Sequence, residues 1–314
     1  MRKYMEKNYS PKVSIIFLTW NGIRYTFDLI DSLKKISYIN YDVIVVDNGS
    51  IDGTQEKFKE KYSKSKNITL IENKKNLGVP EGTNIGIREA LRRGSKYILV
   101  MNNDMLVKEG FLDVLVDAME RHPEVAVAGP KIYYMEPNNM IWSAGCDYHL
   151  SGYRSRNQRE IDKGQADKET YVDAIDCVLM MRADVLRKHG LLDSRLFFIH
   201  ELTGWCLRVK KFGYKSLYVP KSVVWHKVSA AFKDNKRESE ISTYYNIRNW
   251  LLVIKNNKNL AYFLMILFLQ STLLAIGRFF RYFRNQQVKL IVTYYIAIWH
   301  ALTNKTPLEL YPYK

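Results

Sequence analysis

The chain has 314 residues, enough for one large α/β core, or for such a core with an appendage, without a disulfide or structural metal. Its three cysteines, Cys146, Cys177 and Cys206, are odd in number and lack C-x-x-C spacing. This argues against a disulfide framework or a zinc site and predicts packed thiols in a reducing compartment. The formal charge of +16 indicates an anionic partner, which is nucleic acid, acidic lipid or a phosphorylated substrate.

Two stretches of the sequence bear on the compartment and on the kind of anionic partner. Residues 1–12 carry charge without an apolar segment behind them, so we expect no cleaved secretory signal. Lysines in 55–66 alternate with glutamates and are not interleaved with aromatic residues that stack on bases. They are more typical of a solvated helix face than of a nucleic-acid-binding surface.

The first hundred residues alternate strand and helix patterns. The run 13–19 (VSIIFLT) is nearly all apolar, as in a strand buried on both faces of a parallel sheet. A helical pattern follows, and the run 42–47 (DVIVVD) closes a βαβ unit. Further strands are predicted at 68–72 and 97–101, with a helix near 81–93 between them. The expected fold is α/β, with a Rossmann-like, mostly parallel sheet flanked by helices.

Polar residues follow three of these strands at their carboxyl ends. They are Thr19 to Asn21, Asp47 to Ser50, and Asn102 to Asp104. Open α/β sheets bind ligands outside the carboxyl ends of their strands, so we expect these residues to line one shared cleft.

The pattern becomes mixed after residue 105. A helix is predicted at 111–119, and the polar stretch 151–170 is predicted to be a mobile loop. A later helix carries Glu201 in its first turn and precedes a strand at 214–219.

The composition changes again after about residue 232. The stretch 260–277 is almost uninterrupted apolar sequence, at the lower length limit for crossing a bilayer, and a second apolar stretch spans 290–302. Basic residues flank the first stretch: Lys255, Lys258, Arg278, Arg281 and Arg284. Aromatic and basic flanks predict attachment to a membrane interface. The alternative is a helix buried against the main domain or in a dimer contact.

The strand ends offer chemistry suited to a nucleotide diphosphate. Asp47 and Ser50 can hydrogen-bond a pyrimidine edge and a ribose. Asp104 is a hard oxygen ligand that can hold Mg²⁺ or Mn²⁺ against phosphates.

Four segments, in this order and spacing, resemble family 2 glycosyltransferases with the GT-A fold, especially their rhamnosyltransferase-like branch: VSIIFLTWNG, VIVVDNGSIDGT, NLGVPEGTNIGI and YILVMNND. The resemblance covers about 12–230, because YVDAIDCVLMMRADVLRKHGLLDSRLFF and GYKSLYVPKSVVWHK also look like that branch. It implies a domain at 1–230, with a nucleotide-sugar half at about 12–105 and an acceptor half at about 106–230. A helical, membrane-associated extension at 231–314 follows.

The resemblance also implies roles for individual residues. Donor-nucleotide contacts fall on seven positions: Thr19, Asn21, Asp47, Ser50, Gly78, Asn84 and Asn102. The metal falls on Asp104 and His226, whose neutral imidazole can ligate a cation or bond a phosphate. Asn102 stands at the first position of a D-x-D-type motif, where asparagine keeps an oxygen donor but lowers the negative charge.

The chain departs from the family at FFIHELTGWCLR. The E-D-x-D pattern of the family reads here as Glu201, Leu202, Thr203 and Gly204. Glu201 is the surviving carboxylate and is predicted to be the general base of an inverting displacement. A helix-start position stabilises the anion and lowers its basicity, although a nearby diphosphate acts in the opposite direction.

Each of these residues also has a structural interpretation. Asp47 and Asn102 to Asp104 suit strand-exit turns, His226 suits a strand cap, and Glu201 suits an N-terminal helix charge. The order of the motifs along the chain favours the functional interpretation of Asp47 and of Asn102 to Asp104. For His226 and Glu201 both interpretations remain open.

We therefore predict an inverting enzyme at the cytoplasmic face of the membrane, or in the cytoplasm, that moves a sugar from a UDP- or dTDP-type donor. Its acceptor is a surface glycan or a lipid-linked molecule, and its cofactor is Mg²⁺ or Mn²⁺. Nucleic acid is not an expected partner, and a homo-oligomer is left open. One alternative is a nucleotide-sugar-binding protein made inactive at Leu202 and Gly204. Another is a basic membrane-scaffold or nucleic-acid-binding protein.

Overall fold

The structure, a computed structural model, describes residues 10–227 and 235–305, without the side chains of 235–239. Most of the N-terminal stretch 1–12 and the predicted domain boundary near residue 230 lie outside the described residues. The described strands are β1 (Val13–Thr19), β2 (Tyr41–Asp47), β3 (Ile68–Glu72), β4 (Tyr97–Met101), β5 (Met105–Val107), β6 (Val125–Tyr134), β7 (Ile141–Ser143), β8 (Cys146–His149), β9 (Gly152–Ser155), β10 (Thr170–Val172), β11 (Val178–Arg182) and β12 (Lys215–His226).

Helices connect these strands and follow the last of them. They are α1 (Ile23–Leu33), α2 (Thr54–Tyr62), α3 (Val79–Arg92), α4 (Phe111–Arg121), α5 (Ala183–His189), α6 (Glu201–Lys210), α7 (Asn235–Asn257), α8 (Leu260–Ser271), α9 (Leu273–Arg284) and α10 (Val288–Thr303). The predicted strands and helices of the first hundred residues are confirmed, with bounds that differ by two residues or fewer.

The main sheet has the order β10-β12-β6-β11-β4-β1-β2-β3, with β5 paired to β12 and β7 paired to β6. In its first half, β1 pairs in parallel with β2 and β4, and β2 pairs in parallel with β3. The second half is mixed, because β11 runs antiparallel to both β4 and β6. The switch from parallel to antiparallel pairing therefore occurs beside β4.

The sheet is covered on both faces. Ile15 of β1 packs on one side with Leu29 of α1, whereas Ile16 packs on the other side with Ile87 of α3. Each such side chain stabilises the fold by roughly 2 kcal/mol when it is removed from water. Double-sided burial explains why 13–19 reads as a continuous apolar run.

The polar stretch 151–170 is not the mobile loop that we expected. It contains β9 and the first residue of β10, and two of its carboxylates form salt bridges with a buried lysine of β6. The Nζ atom of Lys131 lies 2.7 Å from Asp162 Oδ2 and 2.5 Å from Asp167 Oδ1. Two carboxylates of this polar stretch are thus counter-charges to a lysine that is distant in sequence.

The carboxy-terminal helices build a third apolar cluster. Trp250 and Leu251 of α7 are buried with Tyr294 of α10. The stretch Leu260–Arg284 is, among the described residues, the one that is long and apolar enough to cross a membrane by length and composition. Its helix is interrupted at Thr272, where φ is −118° and ψ is −93°.

Candidate active site

The carboxyl ends of β1, β2 and β4 lie side by side. Thr19 is the register partner of Asp47, and the Asn48 N–H donates to the Thr19 carbonyl (2.8 Å). The Asn103 amide reaches the Thr26 hydroxyl (3.4 Å), which joins the end of β4 to the same edge. The predicted convergence of the three strand ends is confirmed.

Asp47 is fully buried at the end of β2. Its Oδ1 atom accepts hydrogen bonds from the N–H groups of Gly49 (2.9 Å) and Ser50 (2.8 Å) and from Gln55 Nε2 (3.1 Å). Its Oδ2 atom is also buried and has no hydrogen-bond partner among the described residues. A buried carboxylate oxygen without a partner is costly, so Oδ2 is an acceptor suited to a ligand N–H or O–H.

Asn21 and Ser50 connect the ends of β1 and β2. The Asn21 N–H donates to Ser50 Oγ (2.9 Å), and the Ile51 N–H donates to Asn21 Oδ1 (2.9 Å). Thr19 lies deeper, with 1% of its surface exposed, and its Oγ1 bonds to the Thr26 hydroxyl (2.9 Å). Asn21 and Ser50 therefore lie at the rim of the cleft, and Thr19 lies beneath them.

Gly78 and Asn84, which we expected on the nucleotide-side wall, contact the segment that precedes α6. Gly78 has a φ of +81°, and a Cβ there would lie 2.6 Å from Phe197 Cδ2, so glycine is required. Asn84 donates from Nδ2 to the Leu192 carbonyl (2.9 Å) and accepts from the Leu192 N–H through Oδ1 (3.0 Å). The Asn84 amide thus holds a neighbouring loop, and its contact with a nucleotide stays a prediction.

Asp104 and His226 meet where β5 pairs with β12. Met105 is the register partner of His226, and the Lys227 N–H donates to the Asp104 carbonyl (2.9 Å). His226 Nε2 lies 3.2 Å from Asp104 Oδ1. The Trp142 ring packs edge-on against the imidazole, with 4.9 Å between ring centroids. The two side chains are therefore fixed and mostly buried.

This pair has donor atoms suited to a transition-metal cation. One carboxylate oxygen and one imidazole nitrogen are ligands that Mn²⁺ accepts, whereas Mg²⁺ prefers oxygen throughout. The described residues contain no group of three or more His, Cys, Asp or Glu side chains placed to hold a metal. A cation here would take its remaining ligands from a diphosphate or from water. Asn102 is exposed beside the pair.

Glu201 begins α6, and its Oε2 atom is buried without a hydrogen-bond partner among the described residues. Burial, together with the nearby negative charge of Asp176, raises the pKa of Glu201 to about 7. The direction is opposite to the lowered basicity that we expected from the helix start. Loss of solvation outweighs the helix N-terminus here.

Asp176 is a carboxylate that the sequence analysis did not select. It lies two residues before Val178, which pairs with Met101 at the carboxyl end of β4. The Tyr153 hydroxyl donates to Asp176 Oδ2 (3.1 Å). Burial raises the pKa of Asp176, although hydrogen bonds and the charge of His226 oppose this change. The available signal was one carboxylate inside the apolar run AIDCVLMM, since buried charges are rare without a partner or a function.

At positions 202 and 204 the family pattern has acidic residues. In this protein both positions pack in the interior. Leu202 is buried in the apolar cluster on one face of the sheet. A Cβ at Gly204 would lie 2.9 Å from Val253 Cγ2 of α7. An aspartate at position 204 would therefore collide with α7.

The segment before α6 has unusual backbone geometry. Three of its non-glycine residues have a positive φ: Phe197 (+56°), Ile199 (+66°) and His200 (+71°). The Nδ2 atom of Asn249 in α7 contacts three of its carbonyls: Leu196 (2.6 Å), Phe198 (2.6 Å) and Ile199 (2.9 Å). Backbone of this kind persists only where surrounding contacts hold it, and α7 supplies those contacts.

Together, the fold and the cleft define a nucleotide-sugar-dependent glycosyltransferase. The family model for glycosyl transferase family 2 matches residues 14–190, and the chain belongs to that family.

Two curated relatives carry rhamnosyltransferase names. The chain is 26% identical over 254 residues to the dTDP-rhamnosyl transferase RfbF of Shigella flexneri, with 79% of this chain and 81% of the relative covered. It is 25% identical over 234 residues to the N-acetylglucosaminyl-diphospho-decaprenol L-rhamnosyltransferase of Mycobacterium tuberculosis, with 68% and 75% covered.

Solved structures with the same architecture confirm the GT-A fold. The mannosyltransferase PcManGT of Pyrobaculum calidifontis, in complex with GDP-Man and Mn²⁺, has a TM-score of 0.57 at 15% identity, with 97% of this chain and 82% of that chain covered. GalNAc-T7, with UDP, GalNAc and Mn²⁺, has a TM-score of 0.63 at 15% identity, with 79% and 48% covered.

Proposed function

We propose that this glycosyltransferase moves a sugar, with inversion at the anomeric carbon, from a UDP- or dTDP-sugar to a lipid-linked or glycan acceptor. The observation that carries the donor assignment is the unpartnered Oδ2 atom of Asp47. Uracil and thymine each present one N–H donor, at the ring, whereas guanine adds an amino group to its ring N–H, so a single buried acceptor suits the pyrimidines better. The dTDP-rhamnosyl transferase name of one relative agrees with this choice, and the GDP-Man of one solved structure is the alternative to test.

Asp104 and His226 are the proposed metal ligands. A bound Mn²⁺ or Mg²⁺ would neutralise the charge that develops on the diphosphate leaving group. Asn21 and Ser50 at the rim of the cleft would bond the ribose. Thr19, Gly78, Asn84 and Asn102 would shape the remaining donor pocket.

We assign the acceptor side to residues 106–230 and membrane contact to the region that follows. Large apolar side chains are exposed on α8, α9 and α10: Leu264, Phe268, Leu273, Phe280, Phe283, Val292 and Trp299. The helices α8 and α9 have 12 residues each, about 18 Å at 1.5 Å per residue, and the hydrocarbon core of a bilayer is about 30 Å thick. The helices therefore fit the plane of the interface better than a crossing. A lipid-linked acceptor at the cytoplasmic leaflet would then lie beside the enzyme.

A thermal-shift screen tests the donor assignment without a known acceptor. The full-length protein would be mixed with dTDP-L-rhamnose, UDP-glucose, UDP-N-acetylglucosamine and GDP-mannose, each with and without Mn²⁺. A ligand at about 100 times its Kd stabilises a protein by roughly 2.7 kcal/mol, so binding is readily seen. We expect a shift with a uracil or thymine donor that increases with Mn²⁺. The absence of a shift with every nucleotide would show that the donor site is wrongly assigned.

A second candidate function is donor binding without turnover. The packing of Leu202 in the core and of Gly204 against α7 favours it, because neither position supplies a carboxylate to the cleft. Tight donor binding without release of nucleoside diphosphate would support this candidate.

The alternative of a basic scaffold protein makes a different prediction. Binding to polyanions would then depend on salt, and Asp104→Ala would leave it unchanged.

A further inference from the structure

Strand pairing brings Asp176 to the carboxyl end of β4. Val178, the first residue of β11, pairs with Met101, the last residue of β4, and the two strands are antiparallel. Asp176 lies two residues before Val178, just beyond the paired end of β11, and Asn102 to Asp104 directly follow Met101. Asp176 therefore lies at the edge of the sheet where the leaving diphosphate is proposed to bind.

The surroundings of Asp176 hold its carboxylate in place. The Tyr153 hydroxyl donates to Oδ2 (3.1 Å), and the residue is partly exposed. The next residue, Cys177, has a φ of +62°, a backbone conformation that is unusual for cysteine. Such strained residues cluster at functional sites, where surrounding contacts hold them.

Asp176 also interacts electrostatically with its neighbours. The charge of His226 lowers the pKa of Asp176, and the charge of Asp176 raises the pKa of Glu201.

We propose that Asp176 is the catalytic base of the transfer reaction and replaces the acidic residues that positions 202 and 204 lack. This inference rests on the proposed function. The Asp176 carboxylate takes the proton of the acceptor hydroxyl, and an electron pair of that oxygen forms the new bond to the anomeric carbon. The bond between the anomeric carbon and the diphosphate oxygen breaks, and the nucleoside diphosphate leaves with its electrons.

The test measures nucleoside diphosphate release by the full-length protein from whichever donor shifts its melting temperature. Water and a short-chain N-acetylglucosaminyl-diphospho-prenol serve as acceptors. We expect Asp176→Asn to lower turnover at least about 100-fold while the donor-induced thermal shift stays unchanged, and Asp176→Glu to restore part of the rate. Glu201→Gln should lower turnover less than about tenfold. The matched control is Asp184→Asn, the same change at an exposed position of α5, which should leave turnover unchanged.

Three results would overturn the inference while the donor site stands. The first is Asp176→Asn turnover within a few-fold of the unchanged protein, and the second is loss of its donor-induced shift. The third is absence of turnover by the unchanged protein with every donor that binds. If no donor binds at all, the proposed function itself fails, so the two failures are distinguishable.

Discussion

His226 Nε2 lies 3.2 Å from Asp104 Oδ1, although one residue follows β4 and the other ends β12. The pairing of β5 with β12 holds the two side chains together. The proposed cation site thus joins the donor half of the sequence to its acceptor half. The cation site therefore forms only when β5 pairs with β12 in the mixed half of the sheet.

Substitution of either member of this pair should remove the metal-dependent part of donor binding. We expect Asp104→Asn and His226→Gln each to weaken donor affinity in Mn²⁺ by about tenfold or more, which is roughly 1.4 kcal/mol. Titration calorimetry with and without Mn²⁺ measures the difference. Asp117→Asn, on the exposed face of α4, is the control. Unchanged Mn²⁺ dependence in both variants would remove the pair from the metal site.

Asp47→Asn should weaken donor binding whether or not metal is present. The amide oxygen can keep the bonds that Oδ1 accepts from the turn, but the amide N–H₂ cannot accept a hydrogen bond at the Oδ2 position. We expect at least a tenfold loss of affinity for UDP or dTDP measured without Mn²⁺. Equal affinity for the nucleotide in this variant would contradict the assignment of Oδ2 to the base.

Asn249→Ala should destabilise the segment before α6. It removes the amide that contacts the carbonyls of Leu196, Phe198 and Ile199. Because buried carbonyls lose their partner, we expect the free energy of unfolding to fall by about 2–3 kcal/mol, measured by denaturant titration. Asn256→Ala lies exposed on the same helix and should cost less than about 0.5 kcal/mol.

The pH dependence of stability should report the carboxyl group of Glu201. Its pKa is raised from 4.5 to about 7 in the folded protein. Between these values the unfolded chain has released the proton and the folded chain retains it, so the free energy of unfolding falls as pH rises and levels off above about pH 7.

Glu201→Gln stays neutral and should flatten this fall. Above about pH 7 the variant should be more stable than the unchanged protein by roughly 3 kcal/mol, at about 1.36 kcal/mol per pKa unit. Denaturant titrations at several pH values measure the effect, with the exposed Glu109→Gln as the control. An unchanged slope between about pH 5 and 7 would contradict the buried environment of Glu201.

The exposed faces of α9 and α10 should bind anionic membranes. We expect the protein to float with vesicles that contain phosphatidylglycerol and to float less with pure phosphatidylcholine, because Arg281 and Arg284 each add about 1 kcal/mol near an anionic surface. The double change Phe280→Ser and Trp299→Ser should reduce flotation with both vesicles. Phe212→Ser, at an exposed site of the main domain, should have no effect. Equal flotation of all variants would contradict the proposed surface.

Sequence reasoning correctly predicted that three strand ends converge, because the signal at each end is local. Each strand end carries its polar residues directly after an apolar run, as Asp47 follows VIVV, and parallel strands bring such ends to one edge. The same reasoning predicted a mobile loop at 151–170 and was wrong, because salt bridges to Lys131 on another strand hold this stretch in place. It also named only the helix start and a diphosphate as influences on the basicity of Glu201, because burial by other elements is not visible in the residues around it.

The sequence by itself determined the α/β fold, the order of its first strands and the identity of the candidate donor residues, since apolar periodicity and turn chemistry are properties of short segments. The tertiary structure decided that Asp176 lies at the carboxyl end of β4 and that no space is left beside Gly204. Asp176 precedes β11, whose first residue pairs with the last residue of β4, and α7 fills the space beside Gly204. Both results depend on contacts between residues far apart in the chain, and the free energy of those contacts appears only when the elements pack together.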